Sequence, residues 1–126
     1  MTHVTRPMRV LLVDDDIHIL TGLKSIISNH FTDQELSVFT CENGLIASQL
    51  LAEESMDVLI TDIKMPVCSG IELLTIINEQ HYDCRSVVLS GYDDFNLVRN
   101  AMRLGASDYL LKPVDEGLLI HTLQEF

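Results

Sequence analysis

The chain has 126 residues, 47% of them hydrophobic and 21% charged, which is enough for one globular domain with a full core and too apolar for a disordered tail. A formal net charge of −11, with only eight scattered Lys and Arg, excludes a nucleic-acid-binding surface within this segment, because holding phosphates takes clustered cations. No apolar run approaches the roughly 18–20 residues of a membrane span. The first seven residues lack a leader's apolar stretch, and three widely spaced cysteines fit reduced thiols in a cytoplasmic protein.

The first predicted element is an apolar strand at 9–13, where Val10-Leu11-Leu12-Val13 runs into Asp14-Asp15-Asp16. A short Val/Leu-rich run of this kind is the pattern of a strand covered on both faces. A helical stripe follows in Leu20, Leu23 and Ile27, widened by Ile19 and Ile26, with Asp16 placed to cap it. The second strand is predicted at 36–41. Asn43-Gly44 then punctuates the chain before a helix marked by Ile46, Leu50 and Leu51. The third strand, 58–62, ends on Asp62, and Ser69-Gly70 precedes a helix marked by Leu73, Leu74 and Ile77.

The fourth strand, 86–90, ends on Ser90-Gly91. Asp93 or Asp94 can cap the next helix, marked by Phe95, Val98 and Met102, and Gly105 stands where a helix C-terminal glycine belongs. The fifth strand, 108–111, runs into Lys112-Pro113, an X–Pro pair that loses most of the preference for trans. Asp115 is then a cap for a last helix carrying Leu119 and Leu123. Five strand–helix repeats predict an α/β fold: a doubly wound five-stranded parallel sheet with right-handed crossovers and helices on both faces. No linker or internal repeat divides residues 1–126, so one domain is expected.

In such sheets ligands bind outside the carboxyl ends of the strands, and the charged clusters lie at those ends. Two carboxylates about 4 Å apart repel by roughly 4 kcal/mol at an effective dielectric of about 20, so Asp14, Asp15 and Asp62 can share a pocket only around a cation. An all-oxygen donor set without Cys or His favours a hard divalent ion such as Mg²⁺ over zinc or copper. Asp62 is the candidate nucleophile, since carboxylates form aspartyl-phosphates. Ser90 offers a hydroxyl to a phosphoryl oxygen. Lys112 offers an ammonium that can pair with Asp62 first and with the phosphoryl group afterwards.

Four blocks in this order and spacing resemble the receiver domain of two-component response regulators over nearly the whole chain. They are Leu12-Val13-Asp14-Asp15-Asp16, Ile60-Thr61-Asp62-Ile63-Lys64-Met65-Pro66, Leu89-Ser90-Gly91 and Asp108-Tyr109-Leu110-Leu111-Lys112-Pro113. The resemblance implies a flavodoxin-like receiver fold and a signalling domain, not an enzyme beyond its own phosphorylation and dephosphorylation. It makes Asp62 the phosphoacceptor, Asp14 and Asp15 the acidic pair for Mg²⁺, and Lys64 the residue whose backbone carbonyl completes the metal site. Ser90 becomes the switch hydroxyl, Tyr109 the switch aromatic and Lys112 the conserved-role cation.

A sensor histidine kinase is the implied phosphoryl donor. A phosphorylation-dependent homodimer through the fourth helix, fifth strand and fifth helix is the implied response. The stretches 91–95 and 101–106 are similar to receivers fused to a C-terminal helix-turn-helix of the AraC type, which would supply DNA binding and transcriptional output. Three rivals stand beside this. A Mg²⁺-dependent phosphohydrolase would carry a second acid two residues after its nucleophile, where this chain has Lys64. A flavin module would open its first turn with Gly, Ser and Thr amides in place of three aspartates. A stand-alone phosphorelay receiver would have the same sequence features and no output domain.

Overall fold

The computed structural model describes residues 6–126; the leader expectation, drawn on residues 1–7, falls mostly outside them. Strands and helices alternate: β1 (Met8–Val13), α1 (Ile17–His30), β2 (Leu36–Cys41), α2 (Gly44–Glu53), β3 (Val58–Asp62), α3 (Gly70–Gln80), β4 (Arg85–Ser90), α4 (Phe95–Arg103), β5 (Asp108–Leu111) and α5 (Glu116–Gln124). The strands form one parallel sheet in the order β2-β1-β3-β4-β5. The order reverses beside β1, which is the switch point where a doubly wound sheet opens a crevice.

Alternation along the strands divides the core in two, because successive side chains point to opposite faces. Val10, Leu12, Val58, Ile60, Val87 and Leu89 pack on one side with Leu20, Leu23 and Ile27 of α1 and Leu119 and Leu123 of α5. Leu11, Val13 and Leu59 pack on the other with Leu51 of α2 and Leu73 and Ile77 of α3. Val88 completes that second side with Leu74 of α3 and Ala101 of α4.

Four helices start on a side-chain cap. Asp16 accepts from the His18 amide, Asn43 from Ile46, Ser69 from Glu72 and Asp115 from Leu118, each replacing one of the bonds a first turn lacks. At the end of α4, Gly105 takes φ +96°, the Ala106 amide donates to the Ala101 carbonyl, and the Gly105 amide donates to Met102. This pair of bonds is a Schellman stop, and it explains the glycine. The Lys112–Pro113 bond is cis.

Two expectations are corrected. Ile46, Phe95 and Met102 do not line the core: all three are exposed, and Ala47 and Ala101 are buried instead. Asp94 occupies the N-cap position of α4 but makes no side-chain cap bond. Asp93 does not replace it. The three cysteines are free thiols; burial, with Asp57 and Asp83 nearby, pushes Cys84 up to about 12, far from a reactive thiolate.

Candidate functional site

Register builds the site. Val13 stands opposite Thr61, so the next residues along, Asp14 and Asp62, leave the sheet side by side. Asp14 is fully buried, and its Oδ1 accepts the Asp16 amide at 2.9 Å, which turns the chain sharply enough for Asp15 to reach the same space. Carboxylate oxygens of Asp14, Asp15 and Asp62 lie within 4.8 Å of one another. One acid of the first cluster, Asp16, serves α1 as its cap instead.

Lys112 reaches over from the end of β5, whose chain is tied to β4 by its own amide donating to the Ser90 carbonyl at 2.8 Å. Its Nζ lies 3.0 Å from Asp14 Oδ2 and 3.2 Å from Asp62 Oδ2. One ammonium thus bridges two buried acids. Burial pushes the Asp62 carboxyl above the ordinary aspartate range and the Asp14 charge adds to this, while Lys112 and the Lys64 backbone amide pull the other way. For Lys112, burial works to lower its pKa, yet the hydrogen bond to Asp14 and the attraction of Asp62 leave it raised. The cation stays charged.

Ser90 ends β4 fully buried, with no hydrogen-bond partner for its hydroxyl among the described residues. A buried donor in that condition costs on the order of 1–3 kcal/mol until something accepts from it. Tyr109 is not part of the cluster: its residue is 43% exposed on β5, opposite Val88 in register. The Lys64 side chain is also outside, paired with Asp94 across the next loop at 2.6 Å.

Two residues that sequence reasoning passed over shape the site. A Cβ on Gly70 would stand 2.4 Å from the Asp62 carbonyl oxygen, so only glycine lets α3 begin directly behind the third strand's last residue. Val67 takes φ 73° in a tight turn closed by the Cys68 amide on the Pro66 carbonyl, a backbone region that β-branched residues rarely enter. The pair Ser69-Gly70 had signalled a turn but not this close approach, and nothing about Val67 signals a positive φ.

The arrangement is an oxygen-lined anionic pocket with one bridging cation at the carboxyl ends of four neighbouring strands, β1, β3, β4 and β5. Residues 10–124 match the response regulator receiver domain family. The chain belongs to that family.

Among its curated relatives, the transcriptional regulatory protein HptR of Staphylococcus aureus is 37% identical over 127 residues, covering 93% of this chain and 48% of that protein. An uncharacterized response regulatory protein of Staphylococcus epidermidis is also 37% identical, over 118 residues, covering 91% of this chain and 45% of its own. This receiver therefore spans about half the length of the relatives it matches. Among solved structures, the receiver domain of AraT, a response regulator from Geobacillus stearothermophilus, superposes with a TM-score of 0.82 at 32% identity, covering 94% of this chain and 91% of that one. Full-length FixJ from B. japonicum gives 0.85 at 25% identity, covering 96% of this chain and 58% of that one. Among the described residues, no helix is long and apolar enough to cross a membrane.

Proposed function

We propose that this receiver is a Mg²⁺-dependent phosphoacceptor switch that takes a phosphoryl group from a sensor histidine kinase onto Asp62. The observation that carries this is the Lys112 ammonium bridging Asp14 and Asp62 inside the acidic cluster. An Asp62 oxygen attacks phosphorus, the P–O bond forms as the P–N bond of a phosphohistidine breaks, and the imidazole leaves. Lys112 holds Asp62 in place before the transfer. Afterwards its ammonium keeps Asp14 and donates to a phosphoryl oxygen, a charge-assisted bond of the stronger kind.

Asp14, Asp15 and Asp62 suit Mg²⁺ in donor chemistry and spacing, and Asp14 Oδ2 is buried without a hydrogen-bond donor beyond its ion pair with Lys112. With the Lys64 carbonyl they would hold the ion, which supplies neutralisation of the phosphoryl charge. The buried Ser90 hydroxyl then donates to a phosphoryl oxygen, relieving its missing partner, and Tyr109 on the neighbouring strand turns inward behind it. Lys64 stands where a phosphohydrolase would need a second acid, which favours a signalling domain over turnover of small esters.

The response is read on the face of α4, β5 and α5, where Phe95, Met102, Tyr109, Leu111 and Leu118 are exposed. We assign to this face a homodimer formed on phosphorylation. Sedimentation with and without beryllofluoride should give dimer only with it; a monomer in both removes that assignment. By its likeness to a transcriptional regulatory protein, the receiver serves a cytoplasmic regulator of transcription whose DNA-binding part, of AraC type by the resemblance of 91–95 and 101–106, lies outside residues 1–126, themselves one receiver domain.

Incubation with a small acyl-phosphate donor and Mg²⁺ should add one phosphoryl group per chain, seen by intact mass and mapped to Asp62. Asp62→Asn should stay unmodified, and a label that persists in that variant would relocate the acceptor.

A further inference from the structure

Helix α4 begins at Phe95 behind an aspartate that does not cap it. The other four helices each have a side-chain bond at that position. Asp94 instead turns its carboxylate back on the loop that follows β4. Its Oδ2 accepts the Gly91 amide at 2.7 Å, next to Ser90, and its Oδ1 lies 2.6 Å from Lys64 Nζ. The two partners are unequal: the Asp94 side chain is 6% exposed, while that of Lys64 is 60% exposed. A fixed acid is held by a cation whose stem lies in solvent and can swing.

Lys64 also stands two residues after Asp62 in the loop that leaves β3, and it feels the Asp62 charge, though less than that of Asp94. A phosphoryl group on Asp62 brings a charge of about −1.5 to −2, whereas Asp94 carries one. An ammonium shared between two sites redistributes toward the greater charge.

We propose that Asp94 is a positioning residue of the switch and Lys64 its movable counter-ion, exchanging Asp94 for the phosphoryl oxygens on Asp62 once that residue is modified. Asp94, released, swings onto the Asn96 or Leu97 amide and caps α4. This rests on Asp62 being the phosphoacceptor. It ties the chemistry to the one helix start among the described residues that lacks a side-chain cap, and that helix carries the exposed Phe95 and Met102. Ser90 and Tyr109 act through the end of β4 and β5; the exchange at Asp94 acts through a different loop.

The test is amide hydrogen exchange at Asn96 and Leu97, read by NMR on the whole chain with Mg²⁺, with and without beryllofluoride. In the wild type, beryllofluoride should slow exchange at one of these amides about five-fold, the worth of an N-cap. Lys64→Met should show that protection without beryllofluoride. Asp94→Asn should as well, because asparagine caps as well as aspartate and cannot hold the ammonium. Asp94→Ala should respond to beryllofluoride elsewhere but not at these two amides.

Exchange unchanged in both Lys64→Met and Asp94→Asn overturns the proposal, as does an Asp94→Ala protein that protects these amides as the wild type does. Perturbation of Ser90 and Lys112 resonances reports beryllofluoride binding separately. Its absence in the wild type would overturn Asp62 as acceptor, while the two variants without beryllofluoride still judge the Lys64–Asp94 exchange.

Discussion

Asp62 is held in tension. Burial and Asp14 push its carboxyl above the ordinary range, and Lys112 with the Lys64 amide offset only part of that. An acid whose pKa is raised on folding binds its proton more tightly in the native state, so it subtracts stability as pH climbs. Nothing is lost below the unfolded value of about 3.9; the full penalty is present above the folded value. Metal-free Asp62→Asn should therefore be more stable than the wild type at pH 7. The gap should close as pH falls through the carboxylate range. Urea midpoints at pH 7 and near pH 4 measure it, and an equal or lower midpoint for the variant at pH 7 would mean that the Lys112 pair outweighs burial. The positions of Asp14, Asp15, Asp62, Ser90 and Lys112 were legible in the chain because a residue at the end of a parallel strand can only emerge at one sheet edge. Asp94 was not. An aspartate before a helix reads as its cap, and here the Gly91 amide and Lys64, thirty positions away on another loop, together divert it.

At the scale of the elements, the glycines of α1 and α3 are opposites. A Cβ on Gly70, at the start of α3, meets the Asp62 carbonyl oxygen at 2.4 Å and the Ile63 Cα at 3.0 Å. Both neighbours are backbone and neither can rotate away, so Gly70→Ala must push α3 off the sheet, at about 2–3 kcal/mol. Gly22 lies inside α1 with nothing within 4 Å of its Cβ position. Gly22→Ala should stabilise by about 0.5–1 kcal/mol through helix propensity alone. Denaturation of the two variants should move in opposite directions, and a shared direction would refute the close approach at Gly70. Helical periodicity located all five helices but misplaced part of the buried face in two: Leu51 and Val98 do pack inward, while three large neighbours do not. In α2 and α4 the small Ala47 and Ala101 lie against the sheet while Ile46, Phe95 and Met102 face outward. Hydrophobicity ranks an alanine below a phenylalanine, whereas a close helix–sheet contact favours the smaller side chain. The large apolar residues turned outward on α4 lie on the face to which the homodimer is assigned above.

For the whole molecule, the sheet order brings like charges together that the chain's net charge of −11 already makes unfavourable. The sequence pointed to this collision because parallel strands end at one sheet edge; the pairing of β1 with β3, Val13 against Thr61, then sets Asp14 beside Asp62. A cation bound there should raise stability by linkage, about 1.4 kcal/mol when its concentration is ten times its dissociation constant. Mobile salt also relieves diffuse repulsion, with a screening length of about 10 Å at 0.1 M, so a rise in melting temperature with MgCl₂ alone does not distinguish the two effects. NaCl at matched ionic strength does. Diffuse screening gives equal shifts for the two salts and the same shifts in Asp14→Asn. A bound ion gives a larger shift with MgCl₂ that saturates over the millimolar range and collapses in Asp14→Asn. Equal shifts for both salts in the wild type would leave Lys112 as the sole neutraliser of the cluster and remove the metal from the proposed chemistry.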